Sequence, residues 1–443
     1  ADGTVKCMED EIPFEVPEGW AWCKLNDIYN FIDYRGATPT KITNGIPLVT
    51  AKNVKSGYID YTIDDYISEE EFKERQQRGI SKKGDILFTT EAPLGNAALA
   101  DMEKFSAGQR LITFQQYGSK NELINYVMLM FILSDFFQQQ LYVNKTGSTV
   151  AGIKAAILKT LWIPVPPYNE QLRISNTLKS AINLIDSISK NKEILSTSIS
   201  NTKSKILDLA IRGKIVPQDP NDEPASVLLE RIRAEKEELI KQGKIKRDKK
   251  ESVIFKGDDN SYYGIHLPDS WNWASLREIA LSISDGSHNP PPNNGSGIPL
   301  LSAANINDNS ILMNEISRWI TNEEWKIENQ RTNIEVGDVL LTIVGSIGRS
   351  AVVQNNNHFA LQRSVAVIKP CLINPLYLMH IVQSPQIQKW LTDNSKGTAQ
   401  KGIYLNALSL MIIPIPPLAE QARIVELIHI AYKQLDLISN ALL

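Results

Sequence analysis

The sequence predicts an α+β protein made of two similar heads carried on long coiled-coil helices, and three observations predict it. Within residues 163–211, Leu178, Ala181, Ile185, Ile188, Lys192, Leu195, Ile199, Thr202, Ile206 and Leu209 follow one another at alternating steps of three and four, the a/d seam of a coiled coil. The opening of that stretch, Ile163-Pro-Val-Pro-Pro-Tyr-Asn-Glu-Gln-Leu-Arg-Ile174, returns 250 residues later as Ile413-Pro-Ile-Pro-Pro-Leu-Ala-Glu-Gln-Ala-Arg-Ile424. Markers ahead of each opening return too, at offsets that drift only from 251 to 253.

Those markers define the first head, residues 1–162, and the second, residues 256–412. Pro17-Glu-Gly-Trp-Ala-Trp22 reads against Pro268-Asp-Ser-Trp-Asn-Trp273, Gly45-Ile-Pro-Leu48 against Gly297-Ile-Pro-Leu300, and Gly84-Asp-Ile-Leu87 against Gly337-Asp-Val-Leu340. Ala51 and Asn53 match Ala303 and Asn305, Gly95 matches Gly348, and Gln109-Arg110 matches Gln362-Arg363. A tandem duplication of a head with its helix explains this period; a solenoid does not. In each head, short β-branched runs such as Asp85–Thr90 and Asp338–Ile343 read as strands, and Leu123–Tyr142 and Pro375–Thr392 read as amphipathic helices.

The prolines of each opening forbid helix before the Glu-Gln pair and so set where each rod begins. The central rod, residues 163–215, has forty-odd helical residues and is expected to reach about 60 Å. That is the length of a spacer. Residues 216–255 follow as a linker, with the turn-rich Pro217-Gln-Asp-Pro-Asn-Asp-Glu-Pro224 leading into the charged, helix-favouring Ala225–Lys250. A solvated helix and a phosphate- or partner-binding helix both fit that composition. The distal helix is residues 413–443, with Ile428, Ala431, Leu435, Ile438 and Leu442 on its seam.

Composition narrows the class. With 22% charged and 42% hydrophobic residues, no membrane-length apolar run and no signal-peptide pattern, a cytoplasmic protein is expected. Three unpaired cysteines, Cys7, Cys23 and Cys371, fit neither a disulfide framework nor a zinc site. The net charge of −3 is not the strongly basic balance of a nucleic-acid binder, so DNA contact has to come from local patches or partners.

No catalytic constellation stands out. There is no phosphate-binding Gly-x-x-x-x-Gly-Lys-Ser/Thr loop. Asn289-Pro-Pro-Pro292 lacks the aromatic that would stack on a flipped base and reads as a turn. Asp101-x-Glu103-Lys104 reads as a surface loop, and the five histidines show no metal-ligand spacing. Two similar but non-identical heads on a spacer suit the reading of two different short DNA sequences at a fixed separation. The reading side chains should be long and polar. Candidates in the first head are Arg35, Thr38, Lys41, Lys52, Asn53, Arg110, Lys145, Thr146 and Ser148; in the second they are Ser287, His288, Asn305, Arg349, Arg363, Lys396, Thr398, Gln400 and Lys401. A solvated loop or a structural hydrogen bond competes with base reading at each of them.

These repeated openings and head markers, with Asp285-Gly-Ser-His288 and Lys214-Ile-Val-Pro-Gln-Asp-Pro-Asn-Asp-Glu-Pro224, resemble the specificity subunit of type I restriction-modification systems over nearly the whole chain. The resemblance implies two target recognition domains separated by long helices that form an antiparallel coiled coil, and a bipartite, asymmetric double-stranded DNA target. It implies no catalysis and no cofactor in this chain. Methyltransferase subunits would supply S-adenosylmethionine chemistry, and restriction subunits ATP- and magnesium-dependent translocation and cleavage. One departure stands: Leu443 is equivalent to Glu193, so antiparallel pairing is expected to leave part of the first rod uncovered unless a partner or second copy supplies the strand. The rival readings are the specificity subunit of a fused restriction-methylation enzyme, a two-headed protein-binding scaffold and a methyltransferase.

Overall fold

The computed structural model describes residues 12–34, 38–62, 65–117, 123–147, 151–247, 262–397 and 401–442. The chain divides into two compact units, Ala1–Ser189 and Lys190–Leu443.

The first unit is built on a four-stranded antiparallel sheet in the order Tyr29–Asp33, Leu111–Gln116, Ile86–Thr90, Leu94–Leu99. Successive side chains point to opposite faces of a strand. Ile86, Phe88, Ile112 and Phe114 accordingly join one core with the helices Asn125–Leu133 and Asp135–Val143, while Leu87, Ala98 and Leu111 join another with Val49, Val54 and Phe105. Burial on both faces is why these strands read as continuous apolar runs.

The second unit repeats the plan with the order Ala280–Asp285, Val365–Pro370, Val339–Thr342, Ser350–Val352. Val339, Leu341, Ala366 and Ile368 face one core; Leu340, Val365 and Val367 face the other.

The helix expected over Leu123–Tyr142 is two helices, broken at Ser134, whose hydroxyl donates to Phe131 O at 2.6 Å. The one expected over Pro375–Thr392 breaks in the same way, at Ser384 before Pro385. A proline at the first position of a helix and a β-region serine before it start a new axis.

The rods begin later than residues 163 and 413. Trp162–Val165 is a strand paired antiparallel with Ala21–Lys24, and Ile412–Ile415 pairs likewise with Asn272–Ser275. Helix starts at Tyr168 and at Leu418, because the proline-fixed backbone before them is extended. The Glu-Gln pair then acts as an anchor. Gln171, buried, accepts from Ile124 N at 2.8 Å and donates to Pro166 O at 2.9 Å; Gln421 accepts from Asn374 N at 2.9 Å and donates to Pro416 O at 3.0 Å.

The rod helix runs for 44 residues, Tyr168–Ile211. Inside the second unit its last turns pack against Leu418–Asn440 in opposite directions: Lys203 meets Tyr432 and Asp436, while Leu207 and Ile211 lie in the core that holds Ile424 and Ile428. This is the antiparallel pairing the resemblance implied. Its buried stripe is Ile199, Leu207, Ala210 and Ile211, so it sits partly on a neighbouring line from the expected seam: Thr202 is exposed, and Ile206 and Leu209 are half-buried. Further back, Ile185 (60% exposed), Ile188 (58%) and Leu195 (39%) are uncovered and Leu178 is half-buried. On the distal helix Ile428 is buried, Leu435 half-buried and Ile438 exposed.

The charged segment forms a helix over Ala225–Lys241. It is not wholly solvated: Ala225, Leu228, Leu229 and Ile232, at i, i+3, i+4 and i+7, are buried in the core of the second unit. Lys236 donates to the carbonyls of Arg277 and Ala280 at 2.8 and 2.9 Å, so this lysine docks the helix to its own head. None of the described helices is long and apolar enough to cross a membrane.

Candidate nucleic-acid interface

The sheet register of each head gathers polar loops at one end. In the second unit, Asp285 pairs with Ala366 and Thr342 with Val365, so the loops that follow Asp285 and Thr342 and the one that precedes Val365 emerge together. The first carries Ser287 and His288, the second leads through Gly345 to Arg349, and the third carries Arg363. Arg363 N donates to Ser287 O at 2.9 Å, Ser287 N to Leu361 O at 2.7 Å, and Gly345 N to Lys401 O at 3.1 Å. Lys396 is brought to the same end by its bridge to Gly402, which also bridges Val344. Gly286 permits the crossing: a Cβ there would stand 2.1 Å from Leu361 O.

The first unit gathers its loops in the same manner. Thr90 N donates to Arg110 O at 2.9 Å, Ile153 N to Thr90 O at 3.0 Å, and Gly152 bridges both Glu91 and Thr146. Gln109 donates to Thr38. Arg110, in the left-handed region at φ 65°, pairs through Nε with Glu91 at 3.0 Å, and Lys145 lies over the Tyr142 ring at 3.5 Å. A helix glutamine pins the turn in each head, Gln138 to Gly95 O (3.0 Å) and Gln388 to Gly348 O (2.9 Å), which explains why both glycines recur.

The equivalent ends differ in chemistry. Around the second, Arg331, Arg349, Arg363, Lys396 and Lys401 are basic and exposed or half-buried, and Asp285 is the buried acid among them. Asp285 accepts from His288 at 2.8 Å and from Arg331, which also donates to Asp285 O at 2.9 Å. This fixes the His288 loop while leaving its ring and the Arg331 guanidinium half exposed. Arg363 makes no side-chain bond among the described residues. In the first head Arg75, from the equivalent helix, donates to Ala107 O at 2.9 Å and covers the Tyr34 ring at 5.2 Å. Arg331 and Arg75 were not singled out in the sequence. Each is an arginine near the end of a short polar helix, and only the fold shows which loop it reaches.

Three of the candidates, Asn53, Asn305 and Ser287, are buried and serve the fold. Asn53 and Asn305 are 2% and 3% exposed and spend their amides internally. Asn53 accepts from Thr50 N and donates to Asp60 O; Asn305 accepts from Ser302 N and donates to Glu315 O. They recur because they close the same turn, and neither can present an edge to a base. Ser287 is buried also and acts through its backbone. Lys41 pairs with Asp65 at 2.6 Å, and Lys52 stands exposed on the turn that Asn53 closes. Arg35, Ser148, Thr398 and Gln400 lie outside the described residues.

The alternatives for chemistry do not assemble. Glu103 pairs with Lys83 and Lys104 with Glu69, both at 2.7 Å, and no group of acids, histidines and cysteines among the described residues is placed to hold a metal. Asn289–Pro292 is an irregular loop held by Arg318, which donates to Pro291 O at 2.7 Å. What these ends offer, among the described residues, is exposed polar and basic side chains on loops fixed by backbone bonding.

The family model described as "Type I restriction modification DNA specificity domain" matches residues 17–196 and again 268–442. The chain is 23% identical over 434 residues to the type I restriction enzyme EcoBI specificity subunit of Escherichia coli, spanning 96% of this chain and 82% of that one. It is 34% identical over 240 residues to the EcoAI specificity subunit of the same species, spanning 51% of this chain and 38% of that one. In fold it resembles the solved HsdS subunit from Thermoanaerobacter tengcongensis, with TM-score 0.54 and 18% identity over 97% of this chain and 93% of that chain. It also resembles a chain from a study of assembly and conformational transition of the type I R-M system, with TM-score 0.60 and 19% identity over 97% and 94%.

Proposed function

The chain belongs to the type I restriction-modification DNA specificity family, and from that premise we propose that it is the subunit that reads DNA sequence for such a complex, one half-site per head. The observation that carries this is the gathered sheet end, built twice on one backbone plan and armed differently. Shared backbone bonding places the loops, and unlike side chains, Glu91 with Arg110 in one head and Asp285, His288 and Arg331 in the other, give unlike half-sites. The chain performs no chemistry itself. Methyltransferase subunits dock on it and carry S-adenosylmethionine; restriction subunits carry ATP and magnesium. With a net charge of −3, most phosphate neutralisation falls to those partners, while Arg363, Arg349, Lys396 and Lys401 contribute locally.

The test is to assemble the chain with its cognate methyltransferase subunit and map methylated positions across a genome by single-molecule sequencing. A single motif of two short, different halves with a fixed gap is expected. A contiguous motif, or two identical halves, would overturn the reading. The isolated chain is expected not to bind S-adenosylmethionine in calorimetry; binding would favour the methyltransferase reading.

A further inference from the structure

Asp285 closes the outer strand Ala280–Asp285 of the second head's sheet, at the end where the loops gather, and it is 7% exposed. Both of its carboxylate oxygens are taken: Arg331 Nη2 donates to Oδ1, and His288 Nε2 donates to Oδ2 at 2.8 Å. Its backbone oxygen accepts from Arg331 Nε at 2.9 Å. A carboxylate whose oxygens are engaged in this way cannot itself accept from a base. What it presents instead is the guanidinium, whose side chain is 50% exposed.

Arg331 is fixed along one edge and open along the other. Nε and Nη2 together grip Asp285, while Nη1 makes no bond to a described residue. His288, facing a carboxylate, carries its proton on Nε2 and so cannot accept from Arg331 Nη2, 3.4 Å away. The hold on the strand-end carbonyl recurs in the first head, where Arg78, 253 residues earlier, donates to Asp33 O at 3.3 Å. Three residues past each aspartate the heads part: His288 stands in the second and Gly36 in the first.

Two kinds of DNA contact compete for such an arginine, and the carboxylate decides between them. Phosphate attraction depends on net charge, and a guanidinium paired with a buried carboxylate brings none. Base reading depends on the direction of the donors, which the pair preserves. An arginine already held in place also loses less side-chain freedom on binding. The open edge, Nη1 with Nη2, carries two parallel N–H donors. In the major groove only guanine answers with two adjacent acceptors, O6 and N7; adenine offers an acceptor beside a donor, thymine an acceptor beside a methyl group, and cytosine a donor.

Resting on the reading of this chain as a sequence-reading subunit, we propose that Arg331 reads a guanine in the half-site of the second head. Asp285 is its positioning residue: it neutralises the arginine against phosphate and turns the open edge of the fork outward. His288 fills the second carboxylate oxygen and keeps the acid from turning away from the arginine.

The test titrates the full chain, assembled with its cognate methyltransferase subunit, onto fluorescein-labelled duplexes of the mapped target and reads anisotropy. Each base pair of both halves is replaced in turn. The parent is expected to lose about tenfold or more in affinity when one particular G·C pair of one half is changed. Arg331→Ala should abolish discrimination at that pair and at no other, with the slope of log affinity against log salt unchanged. Asp285→Asn, which keeps the size of the side chain and removes its charge, should blunt discrimination at the same pair. Intact discrimination in the other half shows that each variant complex is folded and assembled. If Arg331→Ala weakens every duplex by one factor and lowers the salt slope by about one, the arginine meets phosphate and the proposal is overturned. Lost discrimination at an A·T pair, or at none, overturns it too, and in each case the two-headed reading stands. A parent complex that recognises no split target would instead remove the reading beneath it.

Discussion

Replacing Gln421 with leucine tests whether the repeated Glu-Gln pair anchors rod to head. The side chain is fully buried; its oxygen accepts from Asn374 N at 2.9 Å and its amide donates to Pro416 O at 3.0 Å. Leucine fills a similar volume and strips both bonds. Each orphaned backbone group costs about 1–3 kcal/mol, and the added apolar burial returns about 1–2 kcal/mol, leaving a net loss of about 2–3 kcal/mol at the middle of both ranges. Asn374 also caps the helix Pro375–Val382 by accepting from Leu376 N at 3.0 Å, so the damage should be local to that helix start. Urea unfolding followed by tryptophan fluorescence reports the loss, and hydrogen exchange at the Asn374 amide reports its place. Gln171→Leu should act equivalently on the Ile124 amide. An unchanged unfolding midpoint with Asn374 still protected would refute the anchoring argument.

Arg363→Ala should weaken the complex at one half-site only, by about 1–3 kcal/mol if the side chain reads a base; mapping methylation on targets altered in either half checks this, and equal loss at both halves would deny independent heads. Asp285→Ala removes the shared acceptor of His288 and Arg331 and should cost the same half-site about tenfold in affinity through loss of charge-assisted bonds, with little change in unfolding midpoint. Asn305→Ala should instead cost about 1–3 kcal/mol of stability by unsealing its turn, seen as a lower urea midpoint. For Asp208, burial raises the carboxyl pKa, but hydrogen bonds from Lys205, Arg212 and Gln386 outweigh it and bring the carboxyl down from 3.8 to about 2. A depressed acid stabilises the fold above its unfolded pKa and stops doing so as pH falls through the folded one. Asp208→Asn should therefore cost about 1 kcal/mol near neutrality, after solvent screening, with the gap to the parent closing between pH 3.8 and about 2 in urea titrations.

By itself the sequence determined the duplication, the two heads, the long helix and the linker, because these are written in residue type and period: prolines that stop helix, a three-four repeat that makes a rod, apolar runs that make doubly buried strands. It also showed which positions recur, but a recurring residue looks the same whether it serves the fold or the site. Tertiary structure separated the two. Asn53 and Asn305 recur because they close a turn, Gln171 and Gln421 because they tie a proline carbonyl to a neighbouring backbone amide, and Gly95 and Gly348 because a glutamine approaches them. Arg331 reaches Asp285 across 46 residues and Trp271 reaches Glu420 across 149, spans over which no local pattern constrains a partner. Only the packing of strand, helix and loop decides which polar side chain is consumed inside the molecule and which is left to meet DNA or another chain.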